Sequence, residues 1–126
     1  MNPHSRPVFL NLLRIRLPLN ALVSIAHRIS GVMLVLSIPF IIYALELSLQ
    51  SETGFAEVQA LFKASFTLRL SMMLVCWAWV HHALAGIRYL LIDLDIGVSR
   101  ASSRLSAWLV AGTGAMALLI AAGAWL

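Results

Sequence analysis

Cysteine is almost missing from this sequence: its 126 residues hold one, Cys76. A single thiol excludes an internal disulfide and cannot build a thiolate metal cluster. Charge is scarce too, 11% of residues, against about 25% in soluble domains. The basic residues outnumber the acidic by nine to five, giving a net charge of +4. They sit singly at the ends of apolar runs, with no basic patch for a nucleic-acid partner. No secretory leader is visible, because the N-terminus is polar and the first apolar run lacks a small-residue cleavage site. A Ser- and Arg-rich transit segment is missing as well, which points to a bacterial inner membrane and away from an imported organellar protein.

What the sequence has in excess is apolar surface, 61% of its residues. That composition describes one domain embedded in a lipid bilayer. Residues 1–20 mix Arg6, Arg14 and Arg16 with prolines and short apolar stretches, and are expected to lie along the cytoplasmic membrane surface. Pro18 prevents a helix from running through into the next segment, and Asn20 is placed as its N-cap. Transmembrane helices are predicted over 21–48, 66–92 and 105–126, the first kinked near Pro39. A polar connection, 49–64, is expected to carry a short surface helix over 55–63, and a second loop, 93–104, holds Gly97 as a breaker. Gly112, Ala115 and Gly123 in the last span read as packing residues. The fold class is therefore an all-α membrane protein with three transmembrane helices.

Arg6, Arg14, Arg16, Arg28, Arg88, Arg100 and Arg104 fall on one side of such a bundle, Lys63 and Arg69 on the other. The positive-inside rule puts the N-terminus in the cytoplasm and the C-terminus in the periplasm. The start of the first span and the end of the second then lie at one depth.

Both places carry polar residues. His81 and His82 stand near the end of the second apolar run, before Arg88. Ionisable groups inside a bilayer are functional candidates. Adjacent helical side chains diverge by about 100°, so the two histidines face different partners. Ala78, Ala85 and Gly86 share the face of His82, whereas Trp77 and Leu84 share that of His81. His82 is therefore the candidate axial ligand for a flat cofactor such as haem. The same spacing also suits a histidine that only bonds a neighbouring helix across a small-residue face. At the start of the first span, Ser24, His27, Arg28 and Gly31 follow one another at helical spacing. A hydroxyl, an imidazole and a guanidinium there can bind carboxylates, phospholipid headgroups or a quinone carbonyl, or can simply anchor the helix at the interface. A haem on His82 with its edge towards the cytoplasm would bring its propionates near these cations and Arg88.

Four stretches together resemble the large membrane-anchor subunit, a b-type cytochrome, of succinate dehydrogenase. They are Arg6-Pro7, Arg16-Leu17-Pro18, Ser24-Ile25-Ala26-His27-Arg28-Ile29-Ser30-Gly31, and His82-Ala83-Leu84-Ala85-Gly86-Ile87-Arg88 with Asp93 beyond it. The resemblance implies a haem-binding helix bundle completed by a partner subunit. It implies that His82 is the axial ligand of haem b iron, the other axial histidine coming from the small membrane-anchor subunit. Ser24 and Arg28 would line a ubiquinone site, and His27 and Arg28 would meet the haem propionates. A flavoprotein subunit that oxidises succinate and an iron–sulfur subunit would dock on the cytoplasmic face, leaving this chain without a catalytic residue of its own. Tyr89 departs from the pattern, which commonly has histidine there, and Asn20 stands where threonine is usual. A fumarate reductase-type anchor oxidising quinol, a haem-free structural anchor and a small transporter are the alternatives.

Overall fold

The computed structural model of the chain describes residues 16–125. Most of the predicted surface segment 1–20 lies outside them. The described residues form four helices: α1 (Leu19–Gln50), α2 (Glu52–Ala64), α3 (Phe66–Asp93) and α4 (Arg100–Trp125). Three of them, α1, α3 and α4, are long and apolar enough to cross a membrane. The protein is a multi-pass, all-helical membrane protein.

Polar residues punctuate the helices where the chain leaves the apolar runs. Ser51 accepts a hydrogen bond from the Gly54 N–H at 3.0 Å, and Ser65 accepts one from the Leu68 N–H at 3.3 Å. Each satisfies a donor that a helix start leaves unpaired. Only Ser51 separates α1 from α2, so the two helices fold back sharply. Gly54 is what permits it, because a Cβ there would run into the Leu47 carbonyl oxygen. Between α3 and α4 the chain turns through Asp95 at φ 60° and Gly97 at φ 76°, left-handed conformations that suit these residue types. Ser99 then accepts from the Ser102 N–H at 3.2 Å as α4 begins.

Three sequence expectations shift, the first being the surface helix α2, which already begins at Glu52 and not at 55. Asn20 is not the N-cap of α1. The helix starts two residues earlier than expected, at Leu19, with extended Pro18 ahead of it and the Pro18 carbonyl accepting from Ala21 and Leu22. Proline suits this position because it has no N–H to satisfy. The helix also begins well before residue 105 in α4, since Ser99 starts it in the aqueous loop and Arg100 and Arg104 ride on its first turns.

α3 is the central helix and packs on α1, α2 and α4. Its end lies beside the starts of both α1 and α4, and its start lies beside the end of α4, so neighbouring spans are antiparallel. The shared core is small: Val23, Ala85, Ala107 and Val110. Small residues let the backbones approach, which is how membrane helices gain contact where burial from water gives no drive. On α1 only Val23 and Ser30 are buried. The rest of its length presents apolar side chains outwards, as lipid or a protein neighbour requires.

Candidate functional site

Close packing of α1 against α3 creates the site. Gly31 faces the ring of His82 so tightly that a Cβ on it would lie 2.9 Å from His82 Cε1. With that side of the ring against bare backbone, His82 Nδ1 reaches the His27 carbonyl oxygen at 3.0 Å and Ser30 Oγ at 3.2 Å. A carbonyl only accepts, so Nδ1 carries the ring proton and donates it. The Ser30 hydroxyl points its own hydrogen at the same carbonyl, at 2.8 Å, and turns a lone pair towards Nδ1–H. The tautomer follows: Nε2 of His82 holds an uncommitted lone pair. Histidines that bind metals are oriented in this way, with the far nitrogen donating to a backbone carbonyl.

The ring of His27 stacks on that of His82, centroids 4.2 Å apart and planes 14° from parallel. On its other side His27 meets Tyr89, at 5.4 Å and 54°. The Tyr89 hydroxyl is buried and has no hydrogen-bond partner among the described residues. Two imidazoles and a phenol thus form one aromatic column between α1 and α3. Ser24 and Arg28 lie beside this column. At about 100° per residue they fall next to the line of Val23, half-buried His27 and Ser30. Ser24 is half-buried and Arg28 is exposed. The single polar stripe expected on α1 is thereby divided, His27 and Gly31 facing α3 while Ser24 and Arg28 form the rim.

Arg88 is only 6% exposed and turns into the bundle, its guanidinium 5.3 Å from the centre of the Tyr89 ring. Its Nε donates to Ser106 Oγ at 2.9 Å, and its Nη2 to Asn20 Oδ1 at 3.3 Å, Ser103 O at 3.2 Å and Ser103 Oγ at 3.1 Å. A guanidinium in an apolar bundle needs several acceptors, and α1 and α4 supply them. Asn20, read in the sequence as a cap, completes the network with Nδ2 donating to Ser103 Oγ at 3.1 Å.

His81 and His82 face different neighbours, as their spacing requires. His81 is 4% exposed and lies in the bundle interior, stacked on Trp77 at 5.2 Å and 19°. Gly114 of α4 packs against it, a Cβ there falling 3.3 Å from both His81 Nδ1 and Trp77 Nε1. The His81 Nε2 is buried and has no hydrogen-bond partner among the described residues. Ala78 and Ala85, which seemed to open a groove at His82, are fully buried on the line of His81 and face the other helices. Room at His82 comes instead from Gly31 across the interface. In α4 the important small residue is Gly114, since Gly112 and Gly123 meet open space.

Sequence reasoning missed Ser30, Asn20, Ser103 and Ser106. Ser30 was detectable from its place one turn after His27. The i,i+3 pair Ser103 and Ser106 was the corresponding signal in α4. Among the described residues no three His, Cys, Asp or Glu side chains gather closely enough to hold a metal ion.

Residues 2–122 match the family described as succinate dehydrogenase/fumarate reductase transmembrane subunit. The chain is 34% identical over 121 residues to the succinate dehydrogenase cytochrome b556 subunit of Coxiella burnetii, covering 96% of each. To the subunit of the same name in Paracoccus denitrificans it is 33% identical over 122 residues, 94% of this chain and 92% of that one. The Rickettsia felis subunit is 26% identical over 107 residues, 85% and 82% of the two chains.

Proposed function

Because the chain belongs to the succinate dehydrogenase/fumarate reductase transmembrane subunit family, we propose that it is the cytochrome b anchor of a succinate dehydrogenase. In this role it fixes the flavoprotein and iron–sulfur subunits to a bacterial inner membrane and shares a haem b with a small anchor subunit. The observation that carries the proposal is the placement of His82 Nδ1 against the His27 carbonyl oxygen. The His82 Nδ1–H is held by the His27 carbonyl at 3.0 Å, which aims a free Nε2 lone pair outwards as an axial ligand. A haem held there supplies a one-electron redox centre inside the membrane.

The surrounding residues suit that group. Ser30 and Gly31 hold the ligand ring in place, and the stacked His27 keeps it from rotating. His27 and Arg28 offer positive charge and hydrogen-bond donors for the propionates. Ser24 and Arg28, on the rim of α1, suit ubiquinone: its carbonyl oxygens gain negative charge on reduction and need a hydroxyl donor and a fixed cation beside them. The N-terminus and the α3–α4 loop face the cytoplasm, on the side where succinate is oxidised.

Absorbance spectra of the purified complex test the ligand. His82→Ala should remove the reduced b-type haem band, while His81→Leu, which keeps the bundle interior filled, should retain it. A band lost in His81→Leu and kept in His82→Ala would overturn the assignment.

A further inference from the structure

At the membrane face opposite His82, the ends of α2 and α4 and the start of α3 border an open cavity of about 530 Å³. Lys63 and Arg69 line it with the Gln59 amide, and Phe62, Met72 and Trp125 give it apolar walls. Arg69 is half-buried and held in place. One terminal nitrogen donates to the Trp125 carbonyl at 3.1 Å, and the guanidinium sits 6.0 Å over the Phe66 ring. Its Nε is buried and has no hydrogen-bond partner among the described residues. No carboxylate of the described residues lines this cavity.

A partly desolvated guanidinium with an unsatisfied donor is costly unless an anion sits nearby. The cavity lies at the ends of two membrane-spanning helices, the depth of lipid headgroups, and a tryptophan at that level is typical of the interface. We propose that this cavity binds an anionic phospholipid, its headgroup phosphate between Lys63 and Arg69 and the upper part of its acyl chains against Phe62, Met72 and Trp125. The phosphodiester shares its single negative charge over two free oxygens, one for each cation, and the apolar walls match what is attached to it. A soluble anion would use only half of the surface. The site is independent of haem and quinone binding.

Native mass spectrometry of the intact complex, delipidated and titrated with phosphatidylglycerol or phosphatidylcholine, tests it. Each cation near a membrane surface favours an anionic lipid by roughly fivefold, so the pair predicts about a 25-fold preference for phosphatidylglycerol. The double variant Lys63→Gln with Arg69→Gln should bring the preference close to one, while Arg69→Lys, which keeps the charge, should retain most of it. If the double variant does not assemble, Lys63→Gln alone changes an exposed side chain and should lower the preference about fivefold. Three results would overturn the proposal: no preference in the unsubstituted complex, as when a partner subunit covers the cavity; a preference unchanged in the variants; or loss of the preference on adding excess inorganic phosphate, which would make this a free-anion site.

Discussion

Substituting Gly31 with alanine adds one methyl group at the point where α1 and α3 touch most closely. In an unobstructed helix interior this change stabilises by up to ~1 kcal/mol through backbone entropy and helix propensity. Here the new Cβ would lie 2.9 Å from His82 Cε1, and ordinary contact begins at 3.4 Å. The ring must therefore retreat by about half an ångström, or the helices must part by as much; overpacking of this kind costs roughly 1–3 kcal/mol. Retreat also stretches the 3.0 Å bond from Nδ1 to the His27 carbonyl towards the limit of a hydrogen bond. Loss of such a supporting bond typically weakens metal binding by about 10–100-fold. The clash outweighs the propensity gain. Gly31→Ala should lower both the haem retained per purified complex and the thermal midpoint, with a shifted haem spectrum. Gly112→Ala is the matched control, since nothing lies within 4 Å of a Cβ there. It should leave haem content unchanged and stability equal or slightly raised. A Gly31→Ala complex with full haem, an unaltered spectrum and undiminished stability would refute the link between helix contact and ligand placement.

Three further outcomes are expected. Arg88→Met strands Asn20, Ser103 and Ser106 without their shared donor, and should destabilise the complex by about 2–4 kcal/mol, read as a lower thermal midpoint, with Arg88→Lys in between. Arg28→Leu and Ser24→Ala should each cut succinate-to-quinone activity by roughly 10²-fold while sparing succinate oxidation by a soluble dye. Normal quinone activity in both variants would reduce the rim of α1 to an interfacial anchor, and the haem spectrum of each must be recorded beside it. A reporter fused after residue 126 should report the periplasm, and a cytoplasmic signal would reverse the bundle.

The three long helices were legible because apolar runs of membrane-spanning length have few other uses. Their ends were less so. Hydropathy marks where a helix enters lipid, whereas α4 begins at Arg100, in water, because Ser99 caps it. Two blocks of the site could also be read, since His82 and the segment Ser24–Gly31 stand out against an apolar background. The packing around His82 was only partly legible: Ala78 and Ala85 share its spacing but are fully buried, Ala85 among Val23, Ala107 and Val110, and the glycine closest to the His82 ring is on another helix. Spacing within one helix reports which residues share a face, not which helix comes to cover it. The network of Arg88 was hidden for the same reason: its acceptors Asn20, Ser103 and Ser106 are distant in sequence, and serines mid-chain carry no label that marks them as partners.

The inward turn of Arg88 also constrains the order in which the bundle can assemble. Alone in a bilayer, α3 would have to stretch this side chain back to water near the helix end, because no acceptor for its guanidinium is on α3 itself. Only when α4 has folded back and the first turn of α1 has arrived do both acceptor sets stand in place. The arginine can then exchange water for serine and asparagine. One side chain thereby ties three helices together at the same end of the bundle, and its charge is at home there only when all three are present.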